Sequence, residues 1–309
     1  MRQAISLPCV AFLLGLTMLG GASRAQSAEP AGRVRTEMKG IDFRIDPEVV
    51  LEIRWLRGSL IPTKEGQAPW FDDPSSFVLE IDAGEIAVSP ASMGALLNHY
   101  VFTGPDAPVR DVEIGIAGNH LLQAATLRKK LPVRATIEGE VSATPEGDIR
   151  LHPVSIKAGK LPVKKLLDLL GVELSEVMKT DDRRGVRAEG DDLFLDPEKL
   201  LPPPRIKGKV TAVRLEKGRI VQVFGGGQKG ESLKPSIKAA HYMFFRGNEL
   251  RFGKLTMHDA DLQIVDKDPK DPFNFFLSHF SEQLVAGYSK TMPDKGLVAY
   301  MPDYDQVRK

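Results

Sequence analysis

The side chains whose type and spacing best suit chemistry are the carboxylates Asp259, Asp261, Asp266, Asp268 and Asp271. Asp259 and Asp261 stand two apart, which puts both on one face of a strand, and "DKDPKD" makes a carboxylate-rich turn after them. Oxygen-rich turns can hold calcium, but this one lacks the central glycine and terminal glutamate of an EF-hand loop. Solvated turn carboxylates are therefore the expectation, and no metal site is assigned. In "GGGQKGES" the frame G-x-x-x-x-G fits Gly225 and Gly230, yet Glu231 stands where a phosphate loop needs lysine. A carboxylate there would repel the ligand, so the stretch reads as a linker. The histidines (His99, His120, His152, His241, His258, His279) are scattered, with no H-E-x-x-H or other close-spaced pair. His99 lies beside an apolar helical stripe and reads as a packed or edge residue. "GYSK" at 287–290 lacks the second glycine of a nucleophile elbow. No acid–base pair stands out, so no catalytic residue and no cofactor motif can be named. A protein that is not an enzyme is expected.

The elements that would position any site follow a targeting segment. "MRQAISLPCVAFLLGLTMLGGASRAQS" carries Arg2, an apolar run from Ala4 to Leu19, and small residues at Ser23 and Ala25 that suit a cleavage site. Residues 1–25 read as a signal peptide. Pro8 and Gly15 interrupt the run, which is short for a membrane span. Cleavage would remove Cys9, the only cysteine, and leave no disulfide, thiol nucleophile or thiolate metal site. Arg2 and Arg24 would go too, leaving 40 of the 42 basic residues against 41 acidic ones. That balance offers no broad field for nucleic acid or an anionic surface. Export to a periplasm or cell envelope is expected.

Residues 26–40 are small and polar and read as a flexible lead-in. "VVLEIRWLRG" alternates, with Val49, Leu51, Ile53 and Trp55 on one face. "FVLEIDAGEIAVS" has Phe77, Leu79 and Ile81 in register, with Gly84 marking a bulge. "SPASMGALLNHYVF" predicts a helix over 89–102. Ser89 caps it, Pro90 suits its first turn, and Met93, Leu96, Leu97, Tyr100 and Val101 form one apolar stripe. Strands return from Val109 to "DIRLHPVSIKAG", where Val154, Ile156 and Ala158 share a face after a hairpin at "TPEGD". "LPVKKLLDLLG" then switches to helical spacing at Val163, Leu166, Leu167 and Leu170, and predicts a second helix over 161–178. "DDRRGVRAEGDD" reads as a charged, exposed connection, "EKGR" as a hairpin turn, and 225–238 as a loop. Beyond it, "HYMFFRGNELRFGKLTMHDADLQIVD" predicts strands with a tight turn at Gly247-Asn248. "DPFNFFLSHFSEQLVAGYSK" predicts a helix over 272–291, with Phe273, Phe276, Phe280 and Leu284 along one side. Antiparallel strands with a few amphipathic helices make the class α+β.

Part of this order looks familiar. It runs through "G-x-L-P-V-x-x-L-L-x-x-L" at 159–170, a charged break, "L-F-L-D-P-x-x-L-L" at 193–201 and "I-K-G-K-V-T-A-V-R-L-E-K-G-R-I" at 206–220. Over about residues 77–224 the chain resembles the LmeA-like secreted phospholipid-binding family of the tubular lipid-binding (TULIP-like) group. The resemblance implies a strongly curved antiparallel sheet wrapped on amphipathic helices around an elongated apolar groove for acyl chains. Residues 41–224 are then the lipid-binding-like domain, and 239–309 extend it or form a small subdomain. Gly115, Gly118, Gly139 and Gly159 would serve the curvature. Met93, Leu96, Leu97, Val163, Leu166, Leu167 and Leu170 would line the groove. The implied partner is a lipid or other apolar small molecule, held non-covalently, in lipid transport or envelope maintenance. Transient membrane contact fits that role, and nucleic acid does not. Without the resemblance the same stripes read as an ordinary core, and the alternative is an envelope scaffold with that core filled.

Overall fold

Long alternating segments dominate the chain, and in the computed structural model they build two sheets. The structure describes residues 32–105, 107, 109–127, 132–159, 161–163, 184–226 and 232–307. The expected signal peptide therefore lies outside the described residues. So does most of the expected second helix, with Leu166, Leu167 and Leu170. Strand makes up 56% of the structure and helix 13%, so the fold is β-dominated.

The first three strands, β1 (Val34–Arg44), β2 (Val50–Pro62) and β3 (Phe77–Val88), form an antiparallel meander. Helix α1 (Pro90–Leu96) and a wide π-helical turn (Leu97–Val101) then carry the chain out of that plane. The next strands pair among themselves: β4 (Val109–Ala117), β5 (His120–Leu127), β6 (Val133–Ala143) and β7 (Ile149–Ala158). The short β8 (Leu161–Pro162), β9 (Val186–Glu189) and β10 (Asp192–Leu195) complete a seven-stranded sheet in the order β4-β5-β6-β7-β10-β9, with β8 on β7. After α2 (Pro197–Leu200) the chain returns to the first sheet through β11 (Arg205–Lys207), β12 (Val210–Glu216) and β13 (Arg219–Phe224). It then crosses to the far side as β14 (Tyr242–Phe252) and β15 (Leu255–Asp266). The last elements are β16 (Phe273–Phe276), α3 (Phe280–Val285), β17 (Tyr288–Thr291), β18 (Leu297–Met301) and α4 (Tyr304–Val307). The large sheet has eleven strands, ordered β12-β13-β3-β2-β1-β14-β15-β18-β17, with β11 on β3 and β16 on β1.

This arrangement corrects the expectation of one strongly curved sheet. Neither layer is strongly curled or closed. The excursion through α1 separates β4–β7 from the meander, so their ladders close on one another. The two faces meet instead through side chains. One apolar cluster joins them, including Met38, Leu56 and Leu60 of the large sheet and Leu121, Ile137 and Leu151 of the small one. Each such side chain adds roughly 1.5–3 kcal/mol when fully buried.

Bulges break the strict alternation of the sequence at four places that matter. On β2 the register shifts between Ile53 and Trp55, so Arg54 is an extra residue. Trp55 therefore leaves the inner phase, and Leu56, with no exposed surface, takes the inward place. A second shift on β3 skips Asp82, and Gly84 lies between the two bulges, paired with Leu56. On β7 the pairing jumps from Ser155 to Pro153 opposite Glu138 and Gly139, leaving Val154 unpaired. Val154 is accordingly 41% exposed, not on the face of Ile156. On β4 Asp111 and Val112 together oppose one residue of β5, with Asp111 at φ 52°. An extra residue reverses inward and outward for everything beyond it.

Three other expectations change. The segment 272–291 is mostly not helix. Phe273 and Phe275 alternate inward on β16, parallel to β1, and only Leu277–Val285 coils, as a 3-10 turn (Leu277–His279) running into α3, before Gly287. Gly247 is not a turn. It sits inside β14 because a Cβ there would stand 2.7 Å from the Arg33 carbonyl oxygen and 2.9 Å from Val34 Cα. The charged connection holds the β9–β10 hairpin, where Arg187 pairs with Asp148 at 2.6 Å and covers the Phe194 ring at 4.4 Å. The hairpins at "TPEGD" and "EKGR" form as expected. Of the glycines assigned to curvature, Gly118 and Gly159 sit in turns at φ 59° and 60°, and Gly139 lies opposite the β7 bulge.

Candidate functional site

The first helix begins as its sequence dictates. Ser89 Oγ accepts a hydrogen bond from the Ser92 amide at 3.0 Å, and Pro90 occupies the first turn. Its inward face carries Met93, Leu96 and Leu97, at 4%, 3% and 2% exposure. Met93 and Leu97 line a cavity between the two sheets, with Phe102, Leu121, Ile149 and Leu193 among its walls and Ile220 contributed by the large sheet. Leu96 packs in the core without lining it. Val163 is half-buried against the same cluster. The cavity measures about 40 Å³. A further void of about 30 Å³, between Phe71, Phe77, Leu60 and Leu277, lies elsewhere in the same core.

The turn after α1 ties the layers together. Asn98 Nδ2 donates to the Val112 carbonyl at 2.9 Å, and Asn98 Oδ1 accepts from the Val112 amide at 2.9 Å. Val112 lies in the β4 bulge, where its backbone has no ladder partner on β5. A side-chain amide thus stands in for a strand. Facing the large sheet, Ser92 Oγ donates to the Glu48 carbonyl at 3.0 Å, and the Tyr100 hydroxyl donates to Asp46 Oδ2 at 2.8 Å. His99 reaches Asp46 and Glu48, each at 3.1 Å. Burial would raise the Asp46 pKa, but hydrogen bonds from Tyr100, His99 and the amides of Glu48 and Val49 outweigh it and hold the group below the carboxylate range. Burial, and then Asp46, push Tyr100 up to about 12. His99 is an edge residue with carboxylate partners.

The acidic set does not converge. Asp261 pairs with Arg246 across the strands at 2.9 Å, and Asp259 is exposed. Asp266 corrects the expectation of solvated carboxylates, being only 6% exposed at the end of β15. Its Oδ1 accepts from the Asp268 amide at 2.8 Å, and its Oδ2 has no partner among the described residues. Burial, with Asp303, Asp268 and Asp271 nearby, lifts it to about 7. Among the described residues no group of His, Cys, Asp or Glu is placed to hold a metal. Another buried carboxylate, Glu37, is fully engaged. It accepts from Tyr242 at 2.5 Å, Arg57 at 3.0 Å, and Ser232 and the Leu233 amide at 3.2 Å. With Gln263, which holds Ile237 by two bonds of 2.9 Å, it straps residues 232–237 over the outer face of the large sheet.

The chain has no match among family models, curated proteins or solved structures. The site must be read from its own residues. Two of them went unnoticed in the sequence. Asn98 reads there only as a polar residue between Leu97 and His99. Gln123 had a signal: in "HLLQAATL" it stands two from Leu121 and two from Ala125, at a core-facing position. Gln123 lines the cavity.

Proposed function

We propose that the protein is an exported cell-envelope protein that holds a lipid or other apolar molecule non-covalently between its two sheets, in lipid transport or envelope maintenance. The observation that carries this reading is the cavity beside Met93 and Leu97, whose described walls are apolar except for Gln123. At about 40 Å³ it is far smaller than the ~150 Å³ apolar cavity that admits benzene. An acyl chain therefore has to part the layers. Among the described residues no strand of one sheet pairs with a strand of the other, so parting them breaks no described ladder and exchanges protein packing for ligand packing. The resemblance over 77–224 supports the same reading, with the TULIP-like groove as the form the layers take around a chain. Loading would use transient membrane contact. Among the described residues no helix is long and apolar enough to cross a membrane.

The small volume also favours a second reading, an envelope scaffold whose core is filled and which acts through protein contacts. Organic extraction of purified protein followed by lipid mass spectrometry separates the two. Ligand binding predicts co-purifying acyl lipid, and uptake of the neutral dye N-phenyl-1-naphthylamine by extracted protein. Lipid-free protein that takes up no dye would establish the scaffold.

A further inference from the structure

Gln123 is the one polar side chain among the described walls of an apolar cavity, and it makes no hydrogen bond within the described residues. It lies mid-strand on β5, paired with Ile114 on β4 and Ile137 on β6. Along its own strand the residues on the same face are Leu121 and Ala125, each 6% exposed. Half-buried, Gln123 thus has apolar residues as its neighbours on four sides of the sheet face. It has no hydrogen-bond partner among the described residues, whereas Asn98, Gln263 and Gln283 show how an amide can be held here. Asn98, Gln263 and Gln283 each bond backbone on both donor and acceptor sides. Gln123 keeps both functions unused and faces the cavity. Gln123 is half-buried, and leucine or valine would suit an apolar strand position there better.

We infer that Gln123 is the recognition residue of the site, and that the ligand is an apolar chain bearing one uncharged hydrogen-bonding oxygen, as in an alcohol or an ester. This rests on the proposed binding between the sheets. The carboxamide can donate to a carbonyl or hydroxyl oxygen and accept from a hydroxyl, so it suits either group. No charged side chain is among the described cavity walls. A carboxylate or ammonium drawn in beside Gln123 would lose its water without gaining a counter-charge. Apolar pockets commonly take their specificity from one or two polar groups placed in this way. The site therefore selects the neutral amphiphile over both the plain hydrocarbon and the fatty-acid anion.

The test is competition for N-phenyl-1-naphthylamine bound to the extracted full chain, using octane, 1-octanol and octanoate at about pH 8, where the acid is ionised. Wild type and Gln123→Leu are compared through the ratio of the octane Kd to the 1-octanol Kd, which cancels the chain's own hydrophobicity. Loss of one hydrogen bond should lower that ratio about fivefold in the variant. Octanoate should be the weakest competitor for wild type. If Gln123→Leu does not fold, Gln123→Met gives the same ratio with a more adaptable chain. An unchanged ratio, or octanoate competing as well as 1-octanol, would overturn the assignment while leaving apolar binding intact. Wild type that takes up no dye at all would instead overturn the binding between the sheets, and this inference with it.

Discussion

Asn98 does at one point what a neighbouring strand does along a ladder, and the cost of losing it follows from that. Val112 is 3% exposed, so Asn98→Ala would leave a buried amide and a buried carbonyl unpaired. A loss of about 2–4 kcal/mol in urea unfolding is expected. Asn98→Asp should not rescue it, because a carboxylate can accept from the Val112 amide but faces the Val112 carbonyl without a proton to give. Asp266 makes a second residue-scale prediction. Its pKa rises from an unfolded value near ~3.9 to about 7 in the fold. The folded state thus holds a proton that the unfolded chain has released. Its contribution to stability is complete below about pH 4 and is lost as pH rises through about 7. Asp266→Asn removes that dependence. In urea unfolding from about pH 4 to 8, the variant should gain on wild type steadily and level off above about pH 7, by roughly 1–3 kcal/mol. A difference that stays flat across the range would refute the burial argument.

Elements show where local pattern and packing agree or part. The cap at Ser89 is local, and Ser89→Ala should cost about 1 kcal/mol through the single bond to the Ser92 amide. Gly247 is the opposite case. As a tight turn it would accept alanine with little effect, but within β14 its Cα faces the backbone of Arg33 and Val34. Gly247→Ala should therefore destabilise the chain by about 1–3 kcal/mol, because the neighbouring backbone cannot yield as a flexible side chain would. Thermal unfolding of that variant distinguishes the strand from the turn. Just after α1, Leu97→Phe adds volume where the cavity leaves space, so it should retain a cooperative melt while lowering dye uptake several-fold. A severe drop in melting temperature would mean that Leu97 has no room beside it.

For the whole molecule, the consequence of two sheets without a shared ladder is an interface that can open while both sheets persist. Hydrogen exchange tests this directly. Amides of β4, the edge of the small sheet held by Asn98, should lose protection when Asn98 becomes alanine, while β1 and β2 in the middle of the large sheet keep theirs. Bound ligand should restore the protection of β4 in wild type. Equal loss in both sheets would mean that the layers unfold as one unit.

What the sequence by itself determined is what depends on neighbours a few residues away. The Ser89 cap, the turns at "TPEGD" and "EKGR", and the inward set Phe77, Leu79 and Ile81 all read from short-range chemistry. The acidic turn was legible as carboxylates, but not the burial of Asp266, which needs β18 and its following loop packed alongside. The candidate site was half legible. Met93, Leu97 and their stripe follow from helical period, whereas Gln123 gains meaning only when Ile114 and Ile137 close on it from other strands. Tertiary structure alone decided the bulges at Arg54, Val154 and Asp111, each of which turns the rest of its strand over. It also decided that Phe273 and Phe275 lie on a strand, because β1 offers them an unpaired edge and a buried face. The physical reason is common to these cases. Pairing in a sheet is settled between residues far apart in the chain, and a single extra residue there outweighs any local alternation.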